Sequence, residues 1–159
     1  MSFDRREFRD ALGQFATGVC VITANPEGWE PFGLTVNSFA SVSLEPPLIL
    51  WSLQSDSEMI EAFDKAERFT VNILRAEQEQ LSTQYAIKGD HILAAEHFEW
   101  GANGTPIMPA TLVSLECEME ARHPGGDHII LMGRVTELSQ HAAGAPLLFC
   151  AGGYRQLAD

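Results

Sequence analysis

Residues 113–121 carry the clearest pattern in the chain, with Val113, Leu115, Cys117, Met119 and Ala121 alternating with Ser114, Glu116, Glu118 and Glu120. Successive side chains of a strand point to opposite faces, so this segment predicts a strand wetted on one face. His123-Pro-Gly-Gly126 predicts the turn, and Asp127 to Leu138 a long strand that pairs back. Gly18-Val-Cys-Val-Ile-Thr-Ala24 is β-branched and apolar on both faces, the composition of a buried strand. After a turn at Asn25-Pro-Glu-Gly28 the chain returns in an extended run from Phe32 to Phe39. Pro46-Pro47 blocks any helix ahead of the strand Leu48–Leu53. Further strands are predicted at Arg68–Leu74 and Pro146–Ala151, where Gly152-Gly153 releases the chain.

Helical spacing is shorter-lived. Asp4-Arg-Arg-Glu7 has the spacing of a capping box, and Phe8, Leu12 and Phe15 recur along one face, which predicts an amphipathic helix over residues 4–16. Ser55-x-x-Glu58 predicts a second capped start, with Met59, Ile60 and Phe63 on one side. Residues 77–87 predict a third helix that buries Leu81 and Tyr85. Residues 89–109, rich in Gly, His and Pro, show no clear period. Six or seven consecutive strands with three short helices favour an antiparallel barrel. Neither a repeat nor a linker interrupts residues 1–159, so one domain is expected.

Composition narrows the function. The chain of 159 residues has 45% hydrophobic and 20% charged residues, ordinary for a globular protein. Its net charge of −12 argues against general affinity for nucleic acid or an anionic membrane. Any bound anion must therefore be held by local donors. The N-terminal Met-Ser-Phe-Asp-Arg-Arg lacks the apolar core of a signal peptide, and no apolar run is long enough to span a bilayer. Cys20, Cys117 and Cys150 fit no metal spacing and are read as buried free thiols, so a reducing cytoplasm is the expected location. His91, His97, His123, His128 and His141 show no HxH or HExxH spacing, so no metal is expected. No GxSxG marks a nucleophile. Trp29, Trp51 and Trp100 read as core or interface residues.

The candidate chemistry lies between Phe32 and Glu58. Thr35, Asn37, Ser38, Ser41 and Ser43 form a dense row of small polar side chains ahead of a buried strand, and Gln54-Ser-Asp-Ser-Glu58 follows it. Neutral donors on strands beside a helix start suit a planar polar ligand that carries a phosphate, as a flavin does. Ser41 and Ser43 alternate and share a face if the segment is extended. With Ser52, Ser55 and Ser57 they are placed to hold a ribityl chain and phosphate. Taken alone, these residues read equally as edge-strand polar groups capped by water, and Ser55 as a plain helix cap.

The order of motifs resembles the flavin reductase-like family, with the antiparallel Greek-key FMN-binding split barrel. The resemblance rests on Thr17-Gly-Val-Cys-Val-Ile-Thr23, on Gly33-Leu-Thr-Val-Asn-Ser-Phe-Ala-Ser-Val-Ser43 with Pro46-Pro47-Leu48, and on Phe69-x-Val-Asn-x-Leu74. Gly126-Asp-His-x-Ile130, Gly133-x-Val135 and Pro146-Leu-Leu-Phe149 with Tyr154 complete it. It implies a cytoplasmic homodimer that transfers hydride from NADH or NADPH to FMN, or FAD, and supplies reduced flavin to a separate flavin-dependent monooxygenase. It implies flavin contacts from Thr35, Val36, Asn37, Ser38, Ser41, Val42, Ser43, Ser52, Leu53, Ser55 and Ser57, with Lys88 as the cation for the phosphate. It further implies nicotinamide contacts from Gly126, Asp127, His128 and Tyr154, with His128 orienting the nicotinamide for catalysis. Asp127 is read as orienting its turn, and Tyr154 reads equally as a plug of the barrel end or dimer seam. Gly89-Asp-His91 repeats the Gly-Asp-His tripeptide outside the paired strands, and His91 is read there as a loop residue. The chain departs from many relatives at Glu96-His-Phe-Glu-Trp100, with His97 where they have arginine. Two other readings stand beside the reductase: a flavin-binding electron carrier of the same fold, and a dimeric barrel holding another small ligand such as pyridoxal phosphate or a haem-related compound.

Overall fold

The structure is a computed structural model and describes residues 1–141 and 143–158. Helix α1 (Arg5–Leu12) is followed by β1 (Thr17–Gly18), β2 (Cys20–Ala24), β3 (Phe32–Val36), β4 (Ala40–Leu44), β5 (Pro47–Gln54) and α2 (Ile60–Lys65). Then come β6 (Arg68–Ile73), α3 (Glu79–Gln84), a 3-10 turn at Ala95–His97, β7 (Glu99–Trp100) and β8 (Pro106–Ile107). The long hairpin β9 (Val113–Gly125) and β10 (His128–Gln140) precedes β11 (Leu148–Cys150) and β12 (Gly153–Arg155).

Seven strands form one antiparallel sheet in the order β3-β2-β6-β9-β10-β5-β4. Its two edge strands, β3 and β4, are joined by only Asn37, Ser38 and Phe39. In a flat sheet those edges would lie roughly 29 Å apart, at about 4.8 Å per strand. The connection from Val36 to Ala40 reaches at most about 14 Å. The sheet must therefore roll until its edges nearly meet at residues 37–39. Among the described residues no ladder joins the edges, so the barrel stays open along a seam.

Rolling gives β2 two apolar faces. Cys20, Ile22 and Ala24 enter a core with Phe32, Trp51, Phe63 and Phe69, whereas Val19 and Val21 join a second core with Leu74, Tyr85, Met108 and Leu147. Trp51 is fully buried, with edge-on aromatic contacts to Phe63 at 4.8 Å and Phe69 at 5.9 Å. Gly133 belongs to this packing, because a Cβ there would stand 2.5 Å from the Phe69 ring.

Several expectations are corrected. The wetted face of β9 is dry at its start: Ser114 and Glu116 are buried beneath residues 101–108, where Glu116 accepts the N–H groups of Ala102 and Asn103. Asn72 explains why that cover stays in place. Its amide donates to the Val21 carbonyl (3.0 Å) and Thr23 Oγ1 (3.0 Å), and its oxygen accepts from Met108 N (2.9 Å) and Ser114 Oγ (2.7 Å). The β9–β10 turn is shorter than His123–Gly126. Pairing continues to Gly125↔His128, and the turn is Gly126-Asp127 with Gly126 at φ 74°, as a two-residue hairpin with glycine first demands. The extended run 32–39 ends as a strand at Val36, residues 37–39 forming the link to β4, and the strand expected at 146–151 is the short β11. Two helices start late, with α2 at Ile60 rather than Ser55 and α3 at Glu79, where Tyr85 is buried and Leu81 half-buried.

Helix α1 has its capping box, Asp4 accepting from Glu7 N and Glu7 from Asp4 N, both at 2.8 Å. It ends at Leu12 rather than at 16, and its apolar face is open, with Phe8 50% and Leu12 58% exposed and Phe15, just beyond it, 79% exposed. Trp51 is a core residue and Trp29 packs against that core, but Trp100 is 56% exposed. No helix among the described residues is long and apolar enough to cross a membrane.

Cys20 and Cys117 are buried free thiols, whereas Cys150 is only half-buried, with its Sγ near the Gln14 carbonyl at 3.8 Å. Burial pushes both the Cys20 and the Cys117 thiol up to about 12, the neighbouring Glu116 adding to the effect at Cys117. Thiolate is the reactive form. At pH 8 a maleimide pulse on the folded protein should label Cys150 and spare the other two, with all three labelled after denaturation. Mass spectrometry finding Cys20 or Cys117 modified in the folded protein would contradict this packing.

Candidate active site

The seam produces a cleft. Leu34, Thr35, Val36, Asn37 and Ser38 form one wall, and Ser52, Leu53, Gln54, Ser57 and His128 the other, around 260 Å³. Three larger hollows exist, a largely apolar one under α1, one beside α3 and a polar one between the β2–β3 turn and residues 103–105. The seam cleft is singled out by its convergent polar groups rather than by size.

Two hydroxyls of the row are committed to the fold. Ser38 Oγ accepts from Ser52 N at 2.9 Å and lies 3.2 Å from the Ser52 carbonyl, standing in for a strand residue opposite Ser52. Thr35 Oγ1 donates to the Ser82 carbonyl at 2.6 Å, and Thr35 N to the Tyr85 carbonyl at 3.1 Å. These bonds fix the wall. Asn37 is different, because its side chain is exposed and makes no hydrogen bond among the described residues. Nor do the N–H groups of Asn37 and Ser38 meet a protein acceptor among them. Asn37 lines the seam cleft, the hollow under α1, and a third pocket with Ser82, Ala86, Phe149 and Tyr154.

Ser41, Val42 and Ser43 stand apart. They lie on edge strand β4 and do not line the cleft, and a one-residue bulge between Ser41 and Ser43 breaks the alternation that would have placed them on one face. Ser55 also caps nothing. Its N–H donates to the Asp127 carbonyl at 3.0 Å, and Ser57 N to the Gln54 carbonyl at 3.0 Å, so residues 54–57 form a turn that precedes the six-residue α2. Ser57 Oγ accepts from Met59 N at 3.2 Å and still faces the cleft. Lys88 is exposed in the turn after α3 and does not line the cleft; the neighbouring Gly89 N–H meets Glu58, the residue after Ser57.

The β9–β10 turn brings in His128. Its Nδ1 is 2.7 Å from Asp127 Oδ1, and Asp127 also meets Arg5 Nη2 at 3.2 Å. The bond from His128 holds the Asp127 carboxyl below the usual carboxylate range. With Nδ1 engaged, Nε2 of the half-buried ring is left for the cleft. Asp127 thus orients the histidine as well as the turn, and Gly126 only shapes the backbone. Tyr154 is not beside His128. It lines the pocket on the other side of Thr35–Asn37, with its hydroxyl 2.7 Å from Ser82 Oγ and its ring edge-on to Phe149.

Sequence reasoning missed Leu34 and Gln54 as lining residues, although two-residue spacing from Val36 and from Ser52 places them on the same faces. It also missed His91, which is 9% exposed with Nδ1 3.1 Å from the Gly33 carbonyl and Nε2 2.8 Å from Glu58 Oε1. His97, at the departure from the expected arginine, takes the Tyr85 hydroxyl at 2.7 Å and does not line the cleft.

The residues fit a flavin. An apolar wall from Leu34, Val36 and Leu53 suits a planar ring, and the uncommitted Asn37 donors suit its polar edge. Residues 12–158 match the family described as Flavin reductase like domain. The chain is 45% identical over 152 residues to the FMN reductase (NADH) SmoA of Agrobacterium fabrum, covering 94% of this chain and 84% of that protein. It is 37% identical over 153 residues to HsaB of Rhodococcus jostii, the reductase subunit of a flavin-dependent monooxygenase, covering 96% and 78%. The NADH:FAD oxidoreductase SgcE6 of Streptomyces globisporus, solved in complex with NAD and FAD fragments, has a TM-score of 0.90 at 35% identity over 98% of this chain and 93% of that one. The rolled antiparallel sheet with short helices is the fold of those reductases, and this chain belongs to the flavin reductase-like family.

Proposed function

We propose that this chain is an NAD(P)H:flavin oxidoreductase that reduces FMN, or FAD, in the seam cleft and supplies reduced flavin to a separate flavin-dependent monooxygenase. The observation that carries the reading is the pairing across one cleft of uncommitted donors at Asn37 with a carboxylate-oriented histidine at His128. When bound, the flavin supplies the electron-accepting chemistry. The chain supplies binding and orientation. Thr35 and Ser38, locked by their own hydrogen bonds, hold the wall rigid. The Asn37 side chain and the N–H groups of residues 37 and 38 then stand preorganised where negative charge develops during reduction, without rearranging. Ser52, Gln54 and Ser57 continue the polar lining toward Lys88, which serves the phosphate end. Ser41, Val42 and Ser43 contribute by shaping the edge strand rather than by contact within the cleft.

His128 presents Nε2 and its ring face to the nicotinamide of NADH or NADPH, with Asp127 fixing the ring through Nδ1. Hydride transfer depends on that alignment more than on a proton donor. Tyr154 supports the far side of the Thr35–Asn37 wall through Ser82. NADH as reductant and the two buried free thiols favour a cytoplasmic setting.

The open apolar surface of Phe8 and Leu12 on α1 and of Phe15 just after it, with Leu12 and Phe15 lining the hollow that Asn37 also reaches, supports a homodimer whose second copy covers that surface near the site.

NADH and NADPH oxidation by the purified protein, with and without added FMN or FAD, tests the activity. Turnover should require flavin. His128→Ala should lower kcat/KM for the nicotinamide roughly 10- to 100-fold through lost alignment, and Asn37→Ala should lower kcat at saturating nicotinamide by about 10-fold or more. Bound flavin that NADH fails to reduce would move the chain to the electron-carrier class. Sedimentation velocity should give a dimer that Phe15→Glu weakens, and a monomeric wild type would exclude the assembly.

A further inference from the structure

Helix α3 is seated through a hydroxyl. Ser82 is its only buried residue and has no exposed surface. An apolar side chain there would hold the helix by bulk, whereas a hydroxyl holds it through its partner, the Tyr154 hydroxyl at 2.7 Å. The Tyr154 ring is itself packed edge-on against Phe149 at 5.5 Å. The end of α3 then meets β3. Thr35 gives it both donors, Oγ1 to the Ser82 carbonyl at 2.6 Å and N–H to the Tyr85 carbonyl at 3.1 Å. The last carbonyls of a helix have no partner within it, so a strand that supplies two donors caps the helix and is held by it in turn.

Beyond α3 the chain runs back along the same edge of β3. Gly33 N donates to the His91 carbonyl at 2.7 Å, Leu93 N to the Pro31 carbonyl at 2.9 Å, and Phe32 bridges Ile92. The edge is thus covered at residues 31, 33 and 35, and Asn37, next in that row, is the first whose N–H meets no acceptor among the described residues. Asn37 makes no side-chain bond among them either, so its place is set by its anchored neighbours. Ser38 is anchored on Ser52 N at 2.9 Å, and Thr35 on α3. We infer that Ser82, held by Tyr154, is a positioning residue for the reductase reaction: it seats α3 so that Thr35 stays fixed and the Asn37 donors stand where charge develops on the flavin. The inference rests on the reading of Asn37 as the flavin's donor. Ser82 has no surface with which to touch flavin or nicotinamide, and it acts only through Thr35.

Steady-state rates at saturating FMN, with NADH varied, test it. Ser82→Ala and Tyr154→Phe should each lower kcat about 3- to 10-fold, the scale of one hydrogen bond, and leave the KM for NADH unchanged. The double variant should be no slower than the slower single one, because both changes remove the same bond. Thr35→Val should also lower kcat, whereas Thr35→Ser, which keeps the hydroxyl, should not. In an Asn37→Ala background neither Ser82→Ala nor Tyr154→Phe should cost anything further. Tyr154→Phe loses a single oxygen and keeps its ring, so it carries the test if melting temperatures show that Ser82→Ala folds poorly. An Asn37→Ala protein with the wild-type kcat overturns the reading of Asn37, and the positioning with it. An Asn37 effect with unchanged rates in Ser82→Ala and Tyr154→Phe overturns the positioning alone. So does a Tyr154→Phe protein whose KM for NADH rises while Ser82→Ala behaves as wild type, since the tyrosine then contacts the nicotinamide itself. Additive losses in the double variant, further losses in the Asn37→Ala background, or equal rates for Thr35→Val and Thr35→Ser overturn it as well.

Discussion

Three residues joining opposite edges of a seven-stranded sheet are the constraint on which the rest of this structure depends. Because Val36 and Ala40 are separated only by Asn37, Ser38 and Phe39, the sheet has no flat alternative. Rolling puts one face of β2 inside a barrel with Trp51 and Phe69, and the other against α3 and the second core. It also means that the closing point is made of loop residues rather than a paired ladder. A barrel whose edges were fully paired there would present no unpaired groups to a ligand. This one leaves a cleft lined by backbone and side chains that pairing would otherwise consume.

The hydroxyl-rich segment then divides into two kinds of residue. Ser38 and Thr35 hold the seam in shape by bonding to Ser52 and to the Ser82 carbonyl. Asn37, between the seam cleft and its two neighbouring hollows, keeps its side chain uncommitted. Rigid walls with few free donors are what binding and orienting a planar ring require, because a preorganised site loses little entropy when it is filled. The same division appears across the cleft, where Asp127 holds the ring of His128 and the Ser55 N–H ties the hairpin end to the turn at 54–57.

Much of this was legible in the sequence, and the failures have physical causes. The buried β2, the β9–β10 pairing, the α1 capping box and the mainly β architecture follow from periodicity and local capping, which act over a few residues. The family was legible in the order of its motifs. Ser114 and Glu116 were misread as wetted because their cover comes from residues 101–108, a segment with no period of its own, held down by Asn72. Ser55 was misread as a cap because the Asp127 carbonyl, 72 positions further along, takes its N–H. His91 looked like a loop residue because its partners, Gly33 and Glu58, are brought to it only by the roll of the sheet. The bulge at Val42 that separates Ser41 from Ser43 leaves no mark in the alternation itself.

The flavin ring is proposed to sit in the seam between residues 34–38 and Ser52, Leu53, Gln54 and Ser57, with His128 beside them. A crystal structure of the protein with FMN tests it most directly. Ring density should lie against Leu34, Val36 and Leu53, with Asn37 at its polar edge and the phosphate near Ser57 and Lys88. Ring density in the hollow under α1 or the one beside α3, with the seam cleft empty, would contradict it.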